Sequence, residues 1–563
     1  MRSTEAFRRY DAFTPVDLPD RAWPGRSPAA APRWLSTDLR DGNQALAVPM
    51  TPERKLAMFD LLVSMGYREI EVGYPVASKD EFDFVRMLIE RDLIPDGVRI
   101  SVLVQAREDL IRRTVESLRG ARRANLHVYN ATSPQFRDLV FGMTRDECKA
   151  MAVEGTRLMM KYAEQAPNGG ELGYQYSPEL FNETELDFSL EVCEAVTEVW
   201  QPEAGREIIL NFPSTVERSL PNVFADQIEW LDRNLPRREH VCLSIHPHND
   251  RGTGVASAEL ALLAGAQRVE GCLFGGGERA GNVCLVTLGL NLFTQGIDPG
   301  IDFSDIDRVR GIVEECTGTR VPERFPYAGD LAFTAFAGSH QDAINKGFAA
   351  IDREARATGR SSRELPWRMP YLPVDPEDLG RGYEAIVRIN SQSGKGGVAY
   401  VLSTWHGLHL PRDLQIEFAR TVQALADDEG AELSPERIRE CFAREYLTAP
   451  EPSEPSEPPE QDGAAPEPVV AALYVDGLAG DPDRLLLEAA AACAPLGVGV
   501  SDLHLIGSGG EPAGPGTAVT VYAHCRAGRR EAWGAGVAPD LPVALRAAIS
   551  VATARAGRLD TTR

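Results

Sequence analysis

The chain has 563 residues, of which 43% are hydrophobic and 25% are charged, and its formal net charge at pH 7 is -24. This length predicts roughly two to four domains, and the acidic balance argues against a general affinity for nucleic acid, whose binding proteins carry basic surfaces. The nine cysteines are scattered without a CxxC pair, the N-terminus lacks the apolar core of a signal peptide, and no run of about 18 apolar residues occurs. We therefore expect a cytoplasmic protein in a reducing compartment, with no membrane span.

Most of the chain alternates short β-branched runs with amphipathic helical stretches. Residues 51–67, TPERKLAMFDLLVSMGY, are typical of the helices, because Thr51 can cap the helix, Pro52 suits its first turn and apolar residues recur at helical spacing. Eight strand-like runs are separated by spacers of helical length: 33–39, 68–75, 98–104, 124–130, 172–177, 207–213, 241–247 and 268–274. This alternation predicts an α/β fold of the (β/α)8 TIM-barrel type.

One segment marks a boundary near the C-terminus. TAPEPSEPSEPPEQDGAAPEP is rich in Pro and Glu and contains no basic residue, so it predicts an extended flexible linker. The predicted parts are an N-terminal arm (1–29), a barrel catalytic domain (30–329), mostly helical linker subdomains (330–447), the flexible linker (448–468) and a small α+β domain (469–563).

Polar side chains gather where the predicted barrel strands end, which is where TIM barrels carry their chemistry. Seven of the eight predicted strand ends carry such residues: Arg40, Asp41, Gln105, His127, Ser177, Glu179, Thr215, His246, His248, Glu278, Arg279 and Asn282. This clustering predicts an active site at the carboxyl end of the barrel.

The stretch SIHPHND (244–250) ends the seventh predicted strand with two histidines. Residues two apart on a strand point to the same side, so His246 and His248 should both face the barrel mouth. Taken alone, the pair fits two solvent-capped histidines equally well. Asp41 follows the first strand, which a closed ring brings near the seventh, and two imidazoles with one carboxylate form an open facial metal site. We therefore predict a divalent-metal site.

Each neighbouring residue also has a structural alternative. Asp41 alone could cap a helix, Arg40 could be a surface cation, and Glu278 could simply pair with Arg279. Side by side at the barrel mouth, Arg40 and Asp41 favour an electrostatic clamp and a metal ligand.

Seven motifs, in order along the chain, resemble those of the actinobacterial-type 2-isopropylmalate synthases, metal-dependent Claisen-condensing enzymes with RDG and HxH motifs on a TIM barrel. They are STDLRDGNQAL (36–46), EIEVGYP (69–75), YSPE (176–179), HPHNDRGT (246–253), GERAGN (277–282), GSHQDAINKG (338–347) and NSQSGKGGVAY (390–400). The resemblance implies condensation of acetyl-CoA with 2-oxoisovalerate and thioester hydrolysis to 2-isopropylmalate, the first committed step of leucine synthesis.

The resemblance also assigns roles to residues of this sequence. It implies that Mg²⁺, Mn²⁺ or Zn²⁺ is held by Asp41, His246 and His248, with Asn282 at the same site. It implies that Arg40 stabilises the enolate, and that the 2-oxoacid is held by His127, Ser177, Glu179 and Thr215. The general base it implies is His340, with Glu179 and Tyr371 as associates; alone, a histidine in AGSHQDA is more typical of a helix cap or a surface position.

In this family the region after the barrel reaches the active site of the partner subunit, which implies a homodimer with composite sites. The C-terminal part is similar to the family's leucine-binding regulatory domain, but GDPD (480–483) stands in place of its glycine turn, so leucine inhibition stays open. Tyr74 replaces the more usual Phe and could alter the pocket for the oxoacid side chain. The glycine-rich SGKGG (393–397) is interpreted as a tight loop near the path of CoA.

Four other functions compete with this prediction. A sister alkylmalate synthase, of citramalate or homocitrate type, would share the chemistry and differ only in the oxoacid pocket. A lyase of the same superfamily would lack the region that carries His340 and Tyr371. A metal-dependent hydrolase of the amidohydrolase kind has its HxH motif on the first strand, and a non-catalytic leucine sensor would have lost the Asp41 and His246 site.

Overall fold

The computed structural model describes residues 6–10, 12–165, 170–383, 395–430, 432–447, 482–507 and 519–561. The chain forms two compact units. The first unit comprises Met1–Ala332 and Pro376–Arg381, and the second comprises Phe333–Asp375 and Gly382–Arg563. The finer division that the sequence predicts stays a prediction, and its flexible linker (448–468) lies outside the described residues. No helix in the described ranges is long and apolar enough to cross a membrane.

The first unit contains a closed barrel of eight parallel strands, in which each strand pairs with the next and the last pairs with the first. The strands are β1 Arg33–Ser36, β2 Glu69–Gly73, β3 Arg99–Gln105, β4 Arg123–Ala131, β5 Glu171–Glu179, β6 Ile208–Ser214, β7 Val241–Pro247 and β8 Arg268–Gly271. The TIM-barrel prediction is confirmed.

Helices follow the strands along the first unit. They are α1 Asp41–Gln44, α2 Pro52–Met65, α3 Lys79–Glu90, α4 Glu108–Ser117, α5 Pro134–Phe136, α6 Arg145–Gln165, α7 Leu186–Trp200, α8 Pro221–Asn234, α9 Gly254–Leu263, α10 Leu285–Phe293 and α11 Ile306–Thr317. The helix predicted over 51–67 is α2, and the Thr51 side chain caps it by accepting a hydrogen bond from the Arg54 amide.

Alternation along the strands separates an apolar layer from a polar barrel interior. On β2, Ile70 and Val72 are buried among the apolar side chains, while Glu69 and Glu71 belong to a buried polar group. Glu69 reaches past β1 to Arg268 on β8, with Arg268 Nε to Glu69 Oε2 at 2.7 Å. Charged side chains therefore meet inside the barrel, beneath its carboxyl end.

The first strand is shorter than predicted, because the chain turns immediately after Ser36. The Thr37 carbonyl accepts hydrogen bonds from the Arg40 and Gly42 amides, at 3.0 and 3.1 Å, which closes a turn in place of further strand. The turn leads into the single-turn helix α1, whose first residue is Asp41. Asp41 thus lies on a helix beyond the strand and not on the strand end itself.

The second unit is helical at first and ends in a small sheet. Its elements are α12 Gly338–Thr358, α13 Lys395–His406, α14 Arg412–Glu429, α15 Pro435–Phe442, α16 Pro482–Cys493, β9 Val498–Gly507, β10 Val519–Ala527, β11 Arg530–Ala538 and α17 Leu541–Thr561. The sheet is antiparallel, in the order β11-β10-β9. A Cβ on Gly536 would lie 2.0 Å from the Ala544 carbonyl oxygen, so only glycine lets α17 pack this closely. The α+β prediction for the C-terminal part is confirmed.

Candidate active site

A cavity of about 200 Å³ opens at the carboxyl end of the barrel. Most of the predicted barrel site residues line it: Arg40, Asp41, His127, Ser177, Glu179, Thr215, His246, His248, Glu278 and Arg279. Its apolar wall comes from Tyr74, Leu103, Tyr129 and Pro213. Residues from all around the ring therefore converge on one pocket, as the strand-end pattern predicts.

Three predicted metal ligands form a buried cluster in this pocket. Asp41, His246 and His248 each offer one ligand atom, and these atoms lie within 4.8 Å of one another. Asp41 Oδ2 lies 3.1 Å from His246 Nε2 and 3.5 Å from His248 Nε2. The two rings lie side by side, with centroids 5.2 Å apart and an angle of 31° between their planes. Both rings thus face the same side, as their spacing on β7 predicts.

Asn282 presents its amide oxygen to the same cluster. Its Oδ1 lies 2.7 Å from His246 Nε2, while its Nδ2 donates to the Gly276 carbonyl at 3.0 Å and to Cys272 Sγ at 3.4 Å. A Cβ on Gly277 would lie 2.2 Å from that Nδ2, and the φ of Gly277 is +129°. The loop therefore needs glycine there to hold the amide with its oxygen inward.

The donor set suits a divalent cation. Two imidazole nitrogens, one carboxylate and one amide oxygen are ligands that Mg²⁺, Mn²⁺ and Zn²⁺ accept in open sites. His248 also contributes a buried Nδ1 that has no hydrogen-bond partner among the described residues. No hydrogen bond at Nδ1 therefore orients the His248 ring, and its orientation depends on packing and on the contacts of its Nε2.

Electrostatics within the cluster depend on the proton that His246 directs toward Asp41. Burial alone would lower the pKa of His246, but hydrogen bonds to Asp41 and Glu270 outweigh it and raise the pKa to about 9. Burial would raise the pKa of Asp41, yet Arg40 and the histidines hold it well below its usual range. Burial and the charge of His246 lower the pKa of His248 to about 3. A cation in place of that proton would meet the same oxygen and nitrogen atoms.

Arg40 is held in the pocket by carboxylates on both sides. Its Nε donates to Glu71 Oε2 at 2.6 Å, and its Nη1 lies 3.7 Å from Asp41 Oδ2. The Arg40 side chain is 10% exposed. The guanidinium is therefore a fixed buried cation beside the ligand cluster, not a surface charge.

His127 and Ser177 lie next to each other on β4 and β5. His127 Nε2 lies 2.7 Å from Ser177 Oγ, and its Nδ1 lies 2.7 Å from Glu71 Oε1. Ser177 Oγ also accepts a hydrogen bond from Asn211 Nδ2 at 2.9 Å. These side chains form one chain of hydrogen bonds along the pocket floor.

The remaining barrel residues lie at the rim of the pocket. Thr215 Oγ1 accepts a hydrogen bond from the Leu180 amide at 2.9 Å, and burial raises the pKa of Glu179. Arg279 donates to Asp250 Oδ1 at 2.6 Å. Gln44 Nε2 donates to Glu278 Oε1 at 3.2 Å. Glu278 and Arg279 thus have separate partners, and Gln105 is not among the lining residues.

Sequence reasoning missed the buried groups that support the pocket, above all Glu71, Asn211, Arg268 and Glu270. The missed signal is a pair of charged residues two apart inside an apolar strand, as in REIEVG on β2 and RVEG on β8. In a parallel barrel both faces of a strand are buried, so such charges must meet partners inside the ring.

His340 and Tyr371 belong to the second unit. His340 lies in the first turn of α12, and its ring stacks on that of Tyr371 with centroids 4.0 Å apart and an interplanar angle of 25°. Tyr371 is 60% exposed, and its φ is +64°, in the left-handed region. The structure brings these two predicted residues together, and both side chains are exposed to solvent.

Known proteins resemble the chain along most of its length. Residues 31–313 match the HMGL-like family, and residues 330–403 match the family described as alpha-isopropylmalate synthase, post-catalytic domain-like. The 2-isopropylmalate synthase of Streptosporangium roseum is 64% identical over 98% of this chain and 95% of its own. That of Thermobifida fusca is 66% identical over 78% of each chain, and that of Kineococcus radiotolerans is 52% identical over 98% of each.

The motifs, the barrel and these identities agree, and the chain belongs to the 2-isopropylmalate synthase family.

Proposed function

We propose that this enzyme condenses acetyl-CoA with 2-oxoisovalerate and hydrolyses the thioester, releasing 2-isopropylmalate and CoA. The observation that best supports this is the cluster of Asp41, His246 and His248 in one pocket with the buried cation Arg40. A ligand cluster beside a fixed cation suits a reaction that joins an electrophilic ketone to an enolate.

A divalent cation fits the donor set, and we propose that Asp41, His246, His248 and Asn282 hold it. When bound, it supplies a Lewis acid that makes the keto carbon of the 2-oxoacid electrophilic without proton transfer. His246 gives up its proton on loading, because a ligating imidazole must be neutral.

Arg40 is proposed to stabilise the negative charge that develops on the thioester oxygen when the acetyl methyl group loses its proton. Glu71 fixes the guanidinium at 2.6 Å, so its donors are already oriented before the substrate arrives. Preorganised donors in a water-poor site lower the barrier because they need no rearrangement as the charge forms.

His127, Ser177 and Thr215 are proposed to bind the 2-oxoacid, with its alkyl side chain against Tyr74, Leu103 and the rest of the apolar wall. Tyr74 adds a half-buried hydroxyl to this wall, and burial raises the pKa of that hydroxyl. Such a wall separates neighbouring oxoacids by only about 1–3 kcal/mol per methylene. A sister synthase for another oxoacid is therefore the second candidate.

His340 is proposed as the general base, with Glu179 and Tyr371 as associates. Two observations support this role. Stacking on Tyr371 orients the His340 ring, and the raised pKa of Glu179 makes its carboxylate a better proton acceptor. We also propose a cytoplasmic homodimer in which the region after the barrel completes the active site of the partner. Leucine is proposed as an inhibitor that acts through the C-terminal α+β domain.

The test is release of CoA thiol from acetyl-CoA with pyruvate, 2-oxobutyrate, 2-oxoisovalerate or 2-oxoglutarate, with and without chelator and leucine. The highest kcat/KM with 2-oxoisovalerate, abolished by chelator, supports the proposal. A higher kcat/KM with another oxoacid keeps the mechanism and assigns the chain to a sister synthase. No thiol release with any oxoacid rejects the Claisen reaction.

A further inference from the structure

Next to the cluster of proposed ligands, the barrel carries a line of charged side chains that runs from the partly exposed Arg33 to fully buried residues. Arg33 Nε donates to Glu69 Oε1 at 2.8 Å, and Arg268 Nε donates to Glu69 Oε2 at 2.7 Å. Arg268 Nη1 continues the line to Glu270 Oε1 at 2.6 Å. Arg268 and Glu270 are both 0% exposed. Burying charged groups costs free energy of folding because they lose their hydration. We therefore ask what these buried charges contribute to function.

Glu270 makes the one contact between this line and a proposed metal ligand among the described residues. Its Oε2 lies 2.8 Å from His246 Nδ1 and accepts a second hydrogen bond from Asn211 Nδ2 at 3.2 Å. Its Oε1 accepts from Arg268 and from Gln175 Nε2, both at 2.6 Å. Four donors therefore surround the carboxylate and leave it no freedom to rotate.

This contact determines which ring nitrogen of His246 lacks a proton and can offer its lone pair to a metal. The Glu270 carboxylate accepts hydrogen bonds only, so His246 must keep its proton on Nδ1 whenever the ring is neutral. The lone pair then lies on Nε2, which faces Asp41 and Asn282 at 3.1 and 2.7 Å. A carboxylate behind a ligating imidazole is also known to increase its basicity.

Buried charge gives a second, independent reason for the arrangement. The buried ion pairs next to the cluster hold three carboxylates and two guanidiniums, Asp41, Glu71 and Glu270 against Arg40 and Arg268, while Glu69 and the partly exposed Arg33 pair with each other farther out. With neutral imidazoles this leaves one net negative charge. A divalent cation and one anionic 2-oxoacid would bring this group of charges to neutrality, so Glu270 supplies part of the negative charge that attracts the cation.

We propose that Glu270, anchored by Arg268, is the positioning residue that makes His246 a metal ligand. It holds the ring by Nδ1, fixes the proton on that nitrogen and supplies part of the negative charge that attracts the cation. This inference rests on the metal site of the proposed function, and its test measures cation binding without turnover.

The experiment is titration of metal-free protein with Mn²⁺, with the free ion followed by electron paramagnetic resonance. In Glu270→Gln the amide accepts from Arg268 through its oxygen, which turns its NH2 group toward His246 Nδ1 and favours the wrong tautomer. The Kd for Mn²⁺ is expected to rise about 10- to 100-fold. Glu69→Gln is the matched control, because Glu69 is a buried carboxylate bonded to the same Arg268 but touches no proposed ligand. Its Kd is expected to stay within about 3-fold of the parent value.

An unchanged Kd in Glu270→Gln, or an equal loss in Glu69→Gln, would overturn the inference. If Glu270→Gln does not fold, Gln175→Met replaces it, since this change removes one hydrogen bond to the Glu270 carboxylate and keeps every charge. Weaker Mn²⁺ binding by that variant supports the inference, and parental binding rejects it. Failure of the parent protein to bind Mn²⁺ would reject the metal site of the proposed function and this inference together.

Discussion

Glu71 on β2 binds Arg40 through one carboxylate oxygen, with Nε to Oε2 at 2.6 Å, although the two residues belong to different βα units of the barrel. Its other oxygen lies 2.7 Å from His127 Nδ1. Burial alone would raise the pKa of Glu71, but Arg40 and the hydrogen bond with His127 hold it below its ordinary value. A single ionised carboxylate therefore orients both the proposed enolate-stabilising cation and a proposed oxoacid-binding ring.

Loss of that charge should reduce turnover more than substrate binding. In Glu71→Gln the guanidinium of Arg40 keeps only one charged neighbour and loses its fixed orientation, so kcat is expected to fall about 100-fold, the scale seen when one preorganised donor is lost. Steady-state thiol release measures kcat and both KM values. Glu69→Gln serves as control, and a loss of kcat as large in the control would show that buried charge in general, not Arg40 placement, is responsible.

Asp41 should be required for stabilisation by metal. At a cation concentration of about 100 times Kd, binding adds about 2.7 kcal/mol to the free energy of unfolding, and Asp41→Asn is expected to lose this gain. Differential scanning calorimetry with and without Mn²⁺ measures the change in Tm. Asp250→Asn is a matched change at the same barrel mouth, where Asp250 pairs with Arg279, and should keep the gain. An equal gain in Asp41→Asn would contradict the ligand assignment.

Asp38 should make the stability of the barrel depend on pH. Burial raises the pKa of Asp38 to about 7, despite hydrogen bonds from Ser36 and the Leu273 amide that lower it. The folded chain then holds a proton that the unfolded chain releases near pH 4, so the free energy of unfolding falls as pH rises from about 4 to 7. The contribution is complete below pH 4 and lost above pH 7.

Asp38→Asn removes this titration. Between pH 5.5 and pH 8, urea unfolding of the parent is expected to lose about 2 kcal/mol more than unfolding of the variant. Parallel pH profiles for the two proteins would show that Asp38 is ionised at neutral pH in the folded chain.

The ion pair between Lys55 and Glu81 should stabilise the turn that carries the proposed ligand Asp41. Both side chains are largely buried, and Glu81 also accepts hydrogen bonds from Asn43 Nδ2 on α1 and from the Tyr74 amide. Lys55→Met leaves Glu81 without its counter-ion and is expected to cost about 3 kcal/mol in urea unfolding. Lys55→Met with Glu81→Gln should recover part of that loss, and a cost that the second change does not reduce would argue that Lys55 acts through packing.

Tyr74 should influence the choice of oxoacid. Tyr74→Phe removes a half-buried hydroxyl and makes the pocket wall more apolar, so the kcat/KM ratio of 2-oxoisovalerate to pyruvate is expected to rise about 3- to 10-fold. Tyr162→Phe, which removes an exposed hydroxyl bonded to Glu108, should leave the ratio unchanged. A ratio that falls in Tyr74→Phe would mean that the hydroxyl itself favours the branched oxoacid.

Period-two spacing was enough to predict that His246 on β7 and His248, one residue past its end, face the same side. The alternation of runs was enough to predict the barrel. The true end of β1 was not predictable in this way. It depends on a turn that the Thr37 carbonyl closes, and the apolar pattern of residues 33–39 gives no sign of that turn. The roles of Glu71 and Glu270 were hidden for another reason. A charged residue in a strand looks like the exposed face of an ordinary sheet until the closed ring supplies its partner.

The proposed ligands of the cluster lie on different kinds of backbone. His246 belongs to β7, whose amides are bonded into the barrel, whereas Asp41 begins a single-turn helix and Asn282 ends a loop with glycines at 275–277 and 281. A cation would join these three segments to one another. Hydrogen–deuterium exchange should therefore slow on metal binding at residues 41–44 and 276–282 and hardly change along β7. In that case β7 provides a preformed part of the site, and the two short segments become ordered when the cation binds.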